Sequence, residues 1–162
     1  MTTINFNTKM ALDETDKMIL KVLQENGRIT NLQLSKEIGL SPAPTLERVR
    51  KLERNGFIDS FHAKLNHEKL GYGLKIVIQV SLVRQIENAV QKFLDQINEI
   101  DEIIECEQVT GDFDYYIKVL VKDIAEYDKL VNDKLSRIEE IGQMRSSVIL
   151  STVKDSSRIP VK

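Results

Sequence analysis

Residues 74–82, LKIVIQVSL, place an apolar side chain at every second position. Leu74, Ile76, Ile78, Val80 and Leu82 therefore share one face, which is the pattern of a strand with one side buried. Earlier in the chain only GFIDSFHAKLN alternates, and weakly. Between residues 12 and 56 the apolar positions recur at spacings of three and four, as in helices that bury a single stripe. A hydrophobic period that changes once, across the glycine-flanked stretch HEKLGYG, divides the chain into a helical part and a sheet-bearing part. The division is drawn at 1–66 and 67–162. A length of 162 residues suits two small domains, each marginal as an isolated fold.

The helical part reads as three short helices. Asp13 has the position of an N-cap, followed by Ile19, Leu20 and Leu23 at helical spacing, with Gly27 as a stop. Thr30 and Gln33 form a capping box ahead of Leu32, Leu34 and Ile38, and Gly39 ends that helix. SPAPTLERVRKLERNG then carries two prolines directly in front of a helical pattern. Ser41 can cap, and Pro42 suits the first helical position, where its missing N–H has no helical partner to lose. Ala43 precedes a proline and is biased away from helical angles, so regular helix begins either at Pro42 or at Pro44. Leu46, Val49 and Leu52 are expected to face the core. Two helices joined by a tight turn make a helix-turn-helix, and GFIDSFHAKLN reads as an extended wing or linker.

The second part reads strand, helix, strand, strand, helix, strand. IIECEQV and YYIKVLV are strands around a GDFD turn, Ile124 to Ile141 traces a long amphipathic helix, and MRSSVILSTV is the closing strand. This βαββαβ order is that of a ferredoxin-like sandwich, so the whole chain is α+β. Helices suffice for one sheet face only. Val77, Leu120 and Tyr116 lie on the other, which invites a second copy of the chain. KDSSRIPVK reads as a loose tail.

Composition narrows the function. A net charge of −2 argues against indiscriminate nucleic-acid binding, but the charge is uneven. Residues 1–66 hold 10 Lys and Arg against 8 Asp and Glu, and residues 67–162 hold 13 against 17. The single cysteine, Cys106, excludes an intrachain disulfide framework. No apolar run approaches the roughly 18 residues of a membrane span, and MTTINFNTKMALDETDK does not look like a signal peptide, so a cytoplasmic chain is expected. Cys106 lies mid-strand. His62 and His67 flank the linker without metal-ligand spacing, and no phosphate-binding glycine loop occurs. No metal and no catalytic set is expected.

The third helix carries the clearest chemistry. Ser41, Ala43, Pro44 and Thr45 are small, so its start can approach a major groove closely. Arg48 and Lys51 can reach guanine edges or phosphates, and Arg50 and Arg54 suit phosphates. Glu47 repels phosphate but can accept from cytosine N4. A solvated face on a small helical bundle is the plain alternative.

LDETDKMILKVLQENGRIT, LSKEIGLSPAPTLERVRKLERNGFI and VTGDFDYYIKV, in that order and spacing, resemble the Lrp/AsnC (feast/famine) family of transcription regulators, from about Leu12 to Val153. The resemblance implies a winged helix-turn-helix that reads double-stranded DNA. It also implies a βαββαβ domain that forms homodimers, often associating to octamers, and binds a small effector, usually an amino acid. It further implies an effector site at Thr110, Gly111, Asp112 and Asp114, faced by Gln143, Arg145 and Ser146. A carboxylate there can hold an ammonium group, and Arg145, Ser146 and the Gly111 N–H can hold a carboxylate. A ligand-binding regulatory module without DNA binding is the second reading. A small enzyme using Asp112 or Asp114 as a base is the third, and it lacks a convergent partner.

Overall fold

The computed structural model describes residues 11–84, 86–156 and 158–162. The chain forms two compact units, one running to Lys64 and including Lys154–Lys162, the other Leu65–Val153. The last nine residues thus group with the helical unit, not with the second part as the loose tail expected from the sequence.

The helical unit contains α1 (Glu14–Glu25), α2 (Asn31–Glu37) and α3 (Pro42–Arg54). Asp13 caps α1 by accepting the Asp16 N–H at 2.7 Å, and the Thr30–Gln33 capping box opens α2. Ile19, Leu20, Leu34 and Leu52 form the buried center, with Val49, Ile38 and Val161 packed against it. The α2–α3 turn is set by Gly39 at φ +71°, where the Leu40 N–H returns to the Ser35 carbonyl at 2.9 Å. That left-handed closure suits glycine, which has no Cβ to strain there.

Regular helix begins at Pro42. Ser41 has the extended backbone of an N-cap, yet its side chain accepts no helical N–H. The cause is local: a capping side chain accepts from the second or third helical N–H, and the third helical residue is Pro44, which has none. Phe57–Asn66 contain no strand, so the stretch read as a wing or linker has no sheet pairing.

The second unit contains β1 (Leu74–Leu82), α4 (Glu87–Asn98), β2 (Ile103–Gln108), β3 (Tyr115–Val121), α5 (Ile124–Lys129) and β4 (Ile141–Val148). The antiparallel sheet has the order β2-β3-β1-β4. Ile76, Ile78 and Val80 of β1 are fully buried with Ile117 and Val119 of β3 and Phe93 of α4. The Phe93 and Tyr115 rings lie 4.8 Å apart, tilted, a favorable aromatic arrangement.

Two expectations about the end of this unit need correction. The long helix read to Ile141 leaves α geometry after Lys129, passing through a π turn (Leu130–Lys134) and a 3-10 turn (Leu135–Arg137). Leu130 and Leu135 are both buried, but residues five apart lie about 140° apart around a regular α-helix. Widening to a π turn brings both toward the core. Ile141 then opens β4, which runs to Val148 instead of spanning residues 144–153. Pairing with β1 sets its place, and Leu150 and Val153 are almost fully exposed.

Cys106 lies opposite Ile117 on β3 and is half-buried. Burial first, and the nearby Glu107 charge second, push its thiol up to about 11. It therefore stays protonated at neutral pH. Alkylation of the folded protein at pH 7.5 is expected to run at least ~100-fold slower than that of a free cysteine, because the thiolate is the nucleophile. Iodoacetamide labeling followed by mass spectrometry checks this, and labeling at the free-thiol rate would contradict it.

Candidate functional site

Two groups of predicted residues can be placed, one on each unit. The first is α3. Thr45 is fully buried and donates its hydroxyl to the Ser41 carbonyl at 2.9 Å, so it presents nothing outward. Arg48 turns toward α1, where its Nη1 donates to Asp13 Oδ2 at 2.6 Å and Asp16 Oδ1 at 2.7 Å. Leu46, expected in the core, is exposed instead. The inward stripe is thus Thr45, Arg48, Val49 and Leu52, rotated from the expected one. The cause is the aspartate pair on α1: a cation is drawn to two carboxylates, one of them almost fully buried.

Ser41, Ala43, Pro44, Glu47, Arg50, Lys51 and Arg54 are all exposed. Ala43, Glu47, Arg50 and Arg54 follow one another at spacings of three and four, so they line a single outward stripe. Glu47 receives a hydrogen bond from Arg54 at 2.8 Å, and that guanidinium holds its carboxyl below the usual range. Arg50 and Lys51 make no ion pair among the described residues. The outward face therefore offers two uncommitted cations, a self-neutralized Glu47–Arg54 pair and a helix start of small side chains.

The second group lies at one end of the sheet. Between β2 and β3 the chain turns through Thr110, Gly111 and Asp112, all exposed, with Gly111 at φ +123°. Asp114 closes the loop from inside. Its N–H donates to the Val80 carbonyl, its carbonyl accepts from Val109, and its carboxylate accepts the Leu82 N–H at 2.8 Å. That carboxylate is built into the loop. The Ser81 hydroxyl donates to the Asp112 carbonyl at 3.3 Å, and Ser81 is paired with Gln143 across the sheet. Arg145 lies two residues along β4, its guanidinium 5.3 Å from the center of the Phe113 ring. Loop, Gln143 and Arg145 thus meet. Ser146 pairs with the core-facing Ile78 and hydrogen-bonds Tyr127, so it belongs to the opposite sheet face.

The β1–β4 ladder slips between Ser81 and Leu82, with Gly142 as the extra residue. A Cβ there would come within 3.2 Å of the Val83 nitrogen and 3.4 Å of the Ser81 oxygen. Both are backbone atoms with little freedom to move. Gly142→Val is expected to cost the second unit about 1–3 kcal/mol and to disturb the strand that carries Gln143 and Arg145. Denaturant unfolding of the variant checks this, and a midpoint equal to wild type would show that the bulge yields freely.

Phe113, Ser81 and Gly142 were not singled out from the sequence. Phe113 had one signal, an aromatic residue between two aspartates in a turn. Among the described residues no His, Cys, Asp and Glu cluster has the makeup of a metal site, and no helix is long and apolar enough to cross a membrane.

Comparison with known proteins gives this geometry its family. Residues 75–159 match the family model of the Lrp/AsnC ligand binding domain, and residues 12–59 match that of a winged helix-turn-helix DNA-binding domain. The chain belongs to the Lrp/AsnC family of transcriptional regulators. It is 42% identical to the leucine-responsive regulatory protein of Escherichia coli K12 over 151 residues, 93% of this chain and 92% of that protein. A Neisseria meningitidis transcriptional regulator solved with L-Met superimposes with a TM-score of 0.88 at 35% identity, covering 93% of this chain and 97% of that one. E. coli AsnC superimposes with a TM-score of 0.84 at 25% identity, covering 93% and 99%. The Lrp/AsnC chain is accordingly a transcriptional regulator, with a DNA-binding helix-turn-helix unit and a ligand-binding unit. The relatives are regulators and not enzymes.

Proposed function

We propose that this Lrp/AsnC regulator reads double-stranded DNA by laying α3 in the major groove, and that a free amino acid bound at the 109–114 loop modulates its assembly or DNA affinity. The observation that carries the DNA part is the outward stripe of α3. Ser41, Ala43 and Pro44 leave room for close approach, Arg50 and Lys51 are free to meet phosphates or guanine edges, and Arg54 adds a cation tempered by Glu47. Arg48 and Thr45 act from beneath, by holding the helix.

The amino-acid part rests on the L-Met complex of the similar Neisseria regulator and on the chemistry of the rim. Arg145 and the Gly111 N–H suit a carboxylate, and Asp112, exposed at the loop tip, suits an ammonium group. Thr110 and Gln143 border the same space. Asp114 and Ser146 serve the loop and the opposite sheet face. Val77, Leu120 and Tyr116 on the uncovered sheet face support a homodimer; a cytoplasmic setting and further association to an octamer belong to the same reading.

The test is a titration of the full-length protein against the DNA upstream of its own gene at several salt concentrations, repeated with each free amino acid. Tight binding with a steep salt slope, altered by one or a few amino acids and insensitive to them in Arg145→Ala, supports the reading. Absence of binding at low salt to that DNA and to a genomic library would favor a ligand-binding module without DNA binding. DNA binding that no amino acid changes would remove the effector part alone.

A further inference from the structure

The last residues of the chain are held by the DNA-binding unit at several independent points. Gln24 of α1 grips the backbone of Ile159 from both sides: its Oε1 accepts the Ile159 N–H at 2.5 Å and its Nε2 donates to the Ile159 carbonyl at 3.2 Å. Arg158 pairs with Glu25 at 3.2 Å, and Lys64 with Asp155 at 2.5 Å. Val161 packs against the core formed by Ile19, Leu20, Leu34 and Leu52. The segment borders a groove of about 590 Å³ whose other walls include Leu12, Leu23, Phe57 and Phe61.

We infer that the chain's own C-terminal segment, held on α1 and on the core of the helical unit, is a clasp restricting the motion of the DNA-binding unit relative to the ligand-binding unit. The reason is connectivity. The chain passes between the units twice, at Lys64–Leu65 and again at Val153–Lys154. A single extended connector leaves a unit free to reorient, whereas a second, docked connector removes most of that freedom. The two exposed ion pairs contribute little by themselves. The apolar anchor at Val161, packed on the core of the helical unit, and the paired amide bonds to Ile159 hold the clasp, because exposed apolar surface and an unpaired amide both favor the docked state. In the oligomer proposed above, a unit held this way would find a neighboring DNA site at higher effective concentration. The clasp itself does not depend on that reading.

The test uses the full-length chain in a Cys106→Ser background, with nitroxide labels on Glu37→Cys in α2 and Lys92→Cys in α4, both exposed. Labeled protein is diluted into excess unlabeled protein, so that distances within one chain dominate the pulsed electron-resonance signal. A narrow distribution in the intact chain, about twofold broader in a chain ending at Val153 and in Val161→Asp, supports the clasp. Melting of both variants establishes that the units stay folded. A width unchanged by either variant, or already as broad in the intact chain, overturns it. Gln24→Ala gives a second measurement that spares the core: amide exchange at Ile159 should speed up at least ~10-fold. Exchange at Ile159 in the wild type as fast as in an unstructured peptide would overturn the docking itself.

Discussion

Arg48→Ala is expected to destabilize the DNA-binding unit by about 2–4 kcal/mol, lowering its melting temperature by more than about 10 °C. Asp16 is nearly buried, and the guanidinium at 2.7 Å is the cation that compensates its desolvation. Removing Arg48 leaves a buried carboxylate without its partner, the costly way to break such a pair. Arg48 is itself one-third exposed, so the cost falls toward the lower part of the range for fully buried pairs. Asp16→Ala in the Arg48→Ala background should recover part of the loss, giving a coupling of about 1–3 kcal/mol in a double-mutant cycle. Once corrected for the folded fraction, DNA affinity should change by less than about threefold. A large affinity loss in a fully stable Arg48→Ala protein would restore Arg48 to the reading face.

The same cluster sets an acid limit. The Asp13 carboxyl is held below the usual range, first by the Asp16 N–H it accepts and then by Arg48. A depressed carboxylate contributes stability that is fully present above its unfolded value, near 3.9, and is lost as pH falls through the native value. The share of the difference between wild type and Arg48→Ala that comes from Asp13 should therefore be constant at neutral pH and be lost as pH falls below about 4.

Arg48 also shows where sequence reasoning stops. The spacing of apolar residues located α1, α2, α3 and the four strands, because burial of a stripe or an alternate face leaves a one-dimensional trace. The direction in which a charged residue points does not. Placing Arg48 required knowing that Asp13 and Asp16, 35 and 32 residues earlier, come within reach. Each aspartate was readable only locally, as a cap and a first-turn acid. The π turn was hidden for a related reason: Leu130, Val131 and Leu135 fit one continuous α-helical stripe, and the widening that serves the core leaves no mark in that spacing. At the proposed effector site, the loop was legible as a motif, and the β4 residues followed only from the family resemblance. That Asp114 is committed to the Leu82 N–H, and that Gly142 makes a bulge, follow from sheet register, which no single strand encodes.

On the proposed reading, with Arg48 turned inward, DNA contact rests on Arg50 and Lys51, and their joint replacement by alanine should produce the largest functional loss. Each cation that neutralizes a phosphate contributes about 0.9 to the slope of log affinity against log salt, so the double variant should lose about 2 from that slope. Affinity for the upstream DNA should fall about 10- to 100-fold near 0.1 M salt, converging on wild type as salt rises. Stability should stay within about 0.5 kcal/mol, since both side chains are exposed and neither holds an ion pair among the described residues. This is the reverse of the Arg48→Ala pattern, and the two variants together separate holding the helix from reading with it. Glu47 refines the result. Its bond to Arg54 is exposed and worth little to the fold, so Glu47→Ala acts mainly on the interface. If Glu47 only repels phosphate, the change should tighten binding to all sequences alike; if it accepts from cytosine N4, it should weaken the preferred site by about 1–3 kcal/mol relative to random DNA.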